Sequence, residues 1–231
     1  MNLGTFLAAA WYLRDDVFTL FKMLFTPHRL LERGEGFLRF RGKKGEMENM
    51  LRFLVLSTFI SGIIGFFILE VIVPSLEAQI LMTTKFITAG VGVLLLITGV
   101  LEFQARRRHG KKDLNRLKDR DGALLGVVQG FAALPGFSRS GLTISTLLLR
   151  KFDETTALRL SFLMSLPIVL AGNILLNFNT ASLTLNKSIG LFFSCLFGLL
   201  TIHILLKVAQ KINWGIFLLF FAVLVIVSSF I

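Results

Sequence analysis

Little in this chain can support a covalent framework or a redox centre. It has one cysteine among 231 residues, Cys195, and that lies inside an apolar run. Neither a disulfide network nor a CxxC site can form, and a small buried hydrophobe is the plain reading of Cys195. Histidine is scarce as well. His28 and His109 lie in basic loops, and His203 lies on an apolar stretch without a nearby carboxylate, so none has a partner for acid–base work. Acidic side chains number 14 against 25 basic ones, and few of them fall inside apolar segments. Glu70 and Glu102 sit near segment ends, where an interfacial position is expected, and Asp15 and Asp16 beside Arg14 read as an interfacial charge cluster. The first residues carry no basic n-region, which argues against a cleavable signal peptide. Heptad repeats and low-complexity segments are absent too.

What remains is largely apolar. The chain is 54% hydrophobic, with 24 phenylalanines and a mean hydropathy of +0.75. Those values belong to polytopic membrane proteins rather than to soluble domains of this length. A net charge of +11 could suit nucleic acid, but the basic residues cluster between apolar runs, the pattern of cytoplasmic loops. No nucleic-acid partner is expected.

A bilayer core of about 30 Å takes about 20 apolar residues in helical form. Residues 3–24, 51–73, 84–104, 157–177, 187–208 and 213–231 meet that requirement, about six spans in one membrane domain covering 1–231. Two loops, 25–50 and 105–121, hold most of the positive charge and are assigned to the cytoplasm, against anionic lipid. Between 122 and 149 two apolar halves, "GALLGVVQGFAAL" and "LTISTLLL", flank the polar break "PGFSRSG". Each half covers about half of a crossing. A re-entrant helical hairpin is the expected form, with a single kinked span as the alternative.

Irregular backbone at membrane depth is tolerated only where it is buried in protein or lines a wet cavity, and an arginine there needs a partner or a polar ligand. Arg139 therefore reads as a binding residue whose planar fork suits phosphate. Pro135 is expected to end the first half-helix, and Ser140 or Gly141 to begin the second, aiming free N–H groups at the same spot. Gly136 and Gly141 allow close approach, while Ser138, Ser140 and Thr143 add hydroxyl donors. Taken singly, each of these residues is a common packing or kink residue of membrane helices. Together they favour an anion.

"GVVQGFAALPGFSRSGLTIS" resembles the second signature of the undecaprenyl-diphosphatase (bacitracin-resistance) family, and "NLGTFLAAAWYLRDD" and "LSFLMSLPIVLAG" are similar to further family stretches. The resemblance implies an integral membrane enzyme of the cell inner membrane with transporter-like inverted repeats, each bearing a re-entrant hairpin. It implies hydrolysis of undecaprenyl pyrophosphate to the monophosphate and inorganic phosphate, recycling the cell-wall lipid carrier and conferring bacitracin resistance. Arg139, Ser138 and Ser140 would be its catalytic residues here. Gln129, Gly136, Gly141 and Thr143 would contact substrate, and a divalent cation, Mg²⁺ or Ca²⁺, would assist. Gln129 is an amide and can serve neither as a base nor as a strong ligand for such a cation.

The family also carries an earlier signature, a glutamate-rich helix running into a Pro-x-Ser-Ser-x-Gly-His break, ahead of the segment matching "NLGTFLAA". This sequence begins with that segment, so the expectation is an inverted-repeat protein lacking its first hairpin. A late-called start, a true truncation, or a second copy supplying the missing half each fit. A transporter or lipid translocase that grips a polyprenyl pyrophosphate without cleaving it is the alternative function, and an inactive truncated homologue the third. A homo-oligomer stays open, and no metal ligands are identified.

Overall fold

A backbone held in hydrocarbon has only two ways to satisfy its polar groups, helices or a closed barrel. The computed structural model describes residues 2–15, 17–18, 44–75, 84–108, 110–177, 185–211 and 214–230, and these are helices and short connections without a strand ladder. In chain order they are α1 (Asn2–Tyr12), α2 (Lys44–Phe67), α3 (Thr84–Arg106), α4 (Asp119–Phe131), α5 (Arg139–Leu149), α6 (Glu154–Asn177), α7 (Leu185–Lys211) and α8 (Trp214–Ser228). A π-helical turn, Ile68–Ile72, continues α2 and carries the exposed Glu70. Residues 25–43 of the expected 25–50 loop, the histidines 28 and 109, Asp16 and the side chain of His203 lie outside the described residues, whereas 44–50, expected as loop, form the first turns of α2. Arg14 and Asp15 are 3.9 Å apart and well exposed.

Among the described residues three helical stretches are long and apolar enough to cross a membrane: Glu48–Ser75, Lys85–Arg106 and Glu154–Gly172. Ser188–Ile202 and Trp214–Ser228 are shorter apolar helices among the described residues. Phe59, Phe66, Phe192 and Phe220 are exposed although large and apolar, an arrangement that suits lipid and not water. The chain is an integral membrane protein.

Helices approach closely where side chains are smallest. Along α4, Gly122, Gly126 and Gly130 recur every fourth residue, forming one bare face. That face lies on α2: a Cβ on Gly126 would stand 2.9 Å from the Ser57 carbonyl oxygen, and one on Gly130 2.6 Å from Ile64 Cβ. α5 packs instead on α3 and α6, while α8 lies along α3 and α1 along α7. The best-packed interior, with Phe53, Leu125, Leu147, Phe152, Leu160 and Met164, joins α2, α4, α5 and α6.

α4 and α5 have 13 and 11 residues, about 20 and 16 Å at 1.5 Å per residue, both short of a bilayer core. They run antiparallel and are fastened at their open end. The buried Asp121 receives the Lys118 backbone N–H on Oδ2 (3.1 Å) and Arg150 Nε on Oδ1 (2.8 Å). The Lys112 N–H donates to the Lys151 carbonyl at 2.9 Å, and the Asp153 N–H donates to the Lys112 carbonyl at 3.0 Å. α5 ends in a Schellman arrangement, with N–H groups of Lys151 and Phe152 returning to Leu148 and Leu147 and Lys151 in the left-handed region. Asp153 then caps α6 through the Thr156 N–H, 3.0 Å away.

Candidate functional site

The turn between α4 and α5 decides where polar groups gather. α4 stops at Phe131, four residues before Pro135, because the chain first tightens into successive three-residue turns: Ala132, Ala133 and Leu134 donate to Gln129, Gly130 and Phe131. Pro135 therefore follows the helix end instead of making it. Gly136 then takes φ +107°, a region closed to most L residues, and rests on α3. A Cβ there would lie 2.8 Å from both Cα and O of Val91. Gly136→Ala should cost about 1–3 kcal/mol of stability, read as a lower thermal midpoint in detergent; an unchanged midpoint would contradict this geometry.

α5 starts one residue before Ser140 and two before Gly141, the starts expected from the sequence. Ser138, in extended backbone, is the N-cap: its Oγ accepts the Gly141 N–H at 3.3 Å, so Arg139 is the first helical residue. Serine is preferred at this position because it satisfies one of the orphan donors of the first turn. The Leu142 N–H reaches the Ser138 carbonyl at 2.8 Å. That leaves the Arg139 and Ser140 N–H groups without intrahelical acceptors, at the positive end of the helix dipole.

The expected site residues do not all share one space. Ser138, Ser140 and Gly141 line a cavity of about 350 Å³ whose polar wall also includes Glu102 and Arg106 of α3 and Trp214 of α8. The cavity lining does not include Arg139, Gln129, Gly136 or Thr143. Arg139 is half-buried, and no carboxylate among the described residues pairs with it. Gln129 is buried against α2, where Nε2 donates to Ser61 Oγ at 3.2 Å and Oε1 has no partner among the described residues. Thr143 is buried, its hydroxyl 2.9 Å from the Arg139 carbonyl and 2.7 Å from Ser161 Oγ on α6. The Gly141 Cα hydrogens face α3: a Cβ would come within 2.7 Å of Thr98 Cγ2.

Glu102, near the end of α3, is 2% exposed and enclosed by protein, and Arg106 one turn later balances its charge at 3.6 Å. Glu154 of α6 approaches the same guanidinium at 3.9 Å. The four-residue spacing of Glu102 and Arg106 was visible in the sequence as a helical ion pair. Their common cavity with Ser138, Ser140 and Trp214 depends on tertiary packing. Trp214 Nε1 is buried without a hydrogen-bond partner among the described residues, leaving a spare donor on that wall.

The first turn of α5 carries two backbone N–H groups without intrahelical acceptors, two hydroxyls and the half-buried Arg139, donor types that suit an oxygen-rich anion. It is a poor fit for Mg²⁺ or Ca²⁺, which take mainly carboxylate oxygens. The cavity wall offers the hydroxyls of Ser138 and Ser140 and one carboxylate, Glu102, which pairs with Arg106; Glu154 approaches the same guanidinium. Among the described residues no group of three His, Cys, Asp or Glu could hold a metal ion.

Similar proteins carry the same architecture of sequence. A protein from Methanococcoides burtonii named undecaprenyl-diphosphatase is 38% identical over 233 aligned positions, covering 100% of this chain and 82% of its own length. One of the same name from Haloarcula marismortui is 34% identical, covering 94% of this chain and 76% of its own. Another, from Desulforudis audaxviator, is 29% identical over 95% of this chain and 76% of its own. The family model described as bacitracin resistance protein BacA matches residues 1–227. With that match spanning nearly every residue, the chain belongs to the bacitracin resistance protein BacA family.

Proposed function

We propose that the protein hydrolyses a polyprenyl pyrophosphate, undecaprenyl pyrophosphate by the names of its relatives, to the lipid monophosphate and inorganic phosphate. The observation that carries this reading is the capped start of α5, where Arg139 has no carboxylate partner among the described residues and the first N–H groups are free. The lipid stays in the bilayer, and its diphosphate meets the turn. Arg139 grips two oxygens, and the Arg139 and Ser140 N–H groups with the Ser138 and Ser140 hydroxyls hold others. A water oxygen attacks the terminal phosphorus, its new P–O bond forming as the bond from that phosphorus to the bridging oxygen breaks. The bridging oxygen leaves with the lipid monophosphate, the proton released passes to solvent, and these donors stabilise the charge gathering on the phosphate oxygens. Inorganic phosphate leaves, and the monophosphate remains anchored by its chain. The divalent cation that the resemblance implies does not fit the described donors, and no step is routed through it.

In this reading α4 and α5 form a hairpin entering and leaving the membrane on one side. Arg107, Arg108, Lys111, Arg116, Lys118, Arg120 and Lys151 gather toward its open end, which the positive-inside rule places in the cytoplasm. About six spans, in a multi-pass protein of the cell inner membrane, complete the arrangement. Recycling of the cell-wall lipid carrier and tolerance of bacitracin would follow from the reaction.

The test uses protein purified from its own membrane, its intact mass first measured against 25.8 kDa. Inorganic phosphate should appear from farnesyl and undecaprenyl pyrophosphate in proportion to added protein. No release from either, with the protein folded and monodisperse, would sink the reading.

A further inference from the structure

The phosphate-binding turn uses the backbone and side chains at residues 138–140, yet a buried hydroxyl on another helix reaches into its support. Thr143 of α5 and Ser161 of α6 are 1% and 5% exposed, and their oxygens lie 2.7 Å apart. Thr143 Oγ1 is also 2.9 Å from the Arg139 carbonyl oxygen, which it can reach only as a donor. A threonine hydroxyl has one hydrogen. With that hydrogen on the Arg139 carbonyl, the shorter of its two backbone contacts (the Ser140 carbonyl is 3.3 Å away), Ser161 is the donor of the second bond. The order is Ser161 O–H to Thr143 O–H to the Arg139 carbonyl.

A threonine bonded to the carbonyl four residues back is ordinary within one helix and ties nothing to its neighbours. The added serine changes that, because it sits on α6. α5 is then held at its first turn from two sides, by Gly141 against Thr98 of α3 and by Thr143 under Ser161 of α6. We propose that Ser161 is a positioning residue of the anion site: acting through Thr143, it fixes the first turn of α5 and with it the aim of Arg139 and of the Arg139 and Ser140 N–H groups. The inference rests on the phosphatase reading of that turn.

Inorganic pyrophosphate binding by calorimetry and phosphate release from farnesyl pyrophosphate would be measured on the solubilised full chain. Wild type would be compared with Ser161→Ala, Ser161→Thr, Thr143→Val and the double variant Ser161→Ala/Thr143→Val. Ser161→Ala should weaken pyrophosphate binding and lower kcat/KM about three- to tenfold, the factor one net hydrogen bond carries. Ser161→Thr keeps the hydroxyl and should restore both. The double variant should match Thr143→Val alone, since one residue acts through the other. Ser161→Ala behaving as wild type would overturn the inference and leave the phosphatase reading standing. So would equal impairment of Ser161→Ala and Ser161→Thr, or a Ser161→Ala effect that adds in full to that of Thr143→Val. A wild type that neither binds pyrophosphate nor releases phosphate would overturn the phosphatase reading first, and this inference with it.

Discussion

Arg139→Ala lowers phosphate release from a polyprenyl pyrophosphate by about 10²–10³-fold, the loss typical of removing one preorganised donor from developing charge. The guanidinium is half-buried and has no carboxylate partner among the described residues, so its charge is available to a ligand and is not spent on a structural ion pair. Truncation therefore leaves no stranded carboxylate, and folding should be little affected. Charge on the phosphate oxygens grows as the bond breaks, so the loss should fall more on kcat than on KM. Arg139→Lys keeps one positive charge but loses the two-pronged grip, and should recover only part of the rate. Steady-state phosphate release with matched thermal midpoints decides the matter. Equal rates for wild type and Arg139→Ala would remove Arg139 from the chemistry.

Gly126→Leu should be the most destabilising single change on α4. A Cβ at this position already meets Ser57 O at 2.9 Å, Ser57 Cα at 3.0 Å and Ile60 Cβ at 2.8 Å. Two of those atoms are backbone and cannot swing aside, so α4 would have to move off α2 as a body. Forcing extra atoms into a packed site costs about 1–3 kcal/mol for small additions, and leucine adds several. Gly126→Ala should fall within that range and Gly126→Leu beyond it. Gly62, on α2, provides the contrast, because nothing lies within 4 Å of where its Cβ would be. Gly62→Ala should melt with wild type. Thermal unfolding of the three variants in one detergent checks the series, and a Gly126→Leu midpoint equal to wild type would refute the close packing of α4 on α2.

The polar turn was legible in the sequence because proline, glycine, serine and arginine crowd between two apolar halves, and no single helix accommodates that run. The start of α5 was not, because the run leaves Arg139, Ser140 and Gly141 equally able to be the first helical residue. Only the extended backbone of Ser138 and its bond to the Gly141 N–H separate them. The burial of Glu102 was not legible for a related reason: a carboxylate near the end of an apolar segment looks the same whether it meets headgroups or a neighbouring helix. Its burial follows from α5, α6 and α8 closing over the last turns of α3. The glycines of α4 carried their message in four-residue spacing, which marks a close helix crossing but not the partner. Ser161 had no local signal at all. Its role comes from a contact spanning 18 residues and two helices.

The fastening at the open end of α4 and α5 also orders events while the chain is being made. Asp121 waits for Arg150, and Lys112 waits for Lys151 and Asp153, so the clamp cannot close until residue 153 has left the ribosome. Thr143 receives its second hydrogen bond later still, when α6 has emerged as far as Ser161. Neither short helix can rest across a bilayer by itself, whereas α2 and α3 precede them and already offer the surfaces on which they settle. In chain order, each short helix thus follows the long helix on which it rests, α4 after α2 and α5 after α3. The cavity beside the turn is completed later still, because its wall includes Trp214 of α8.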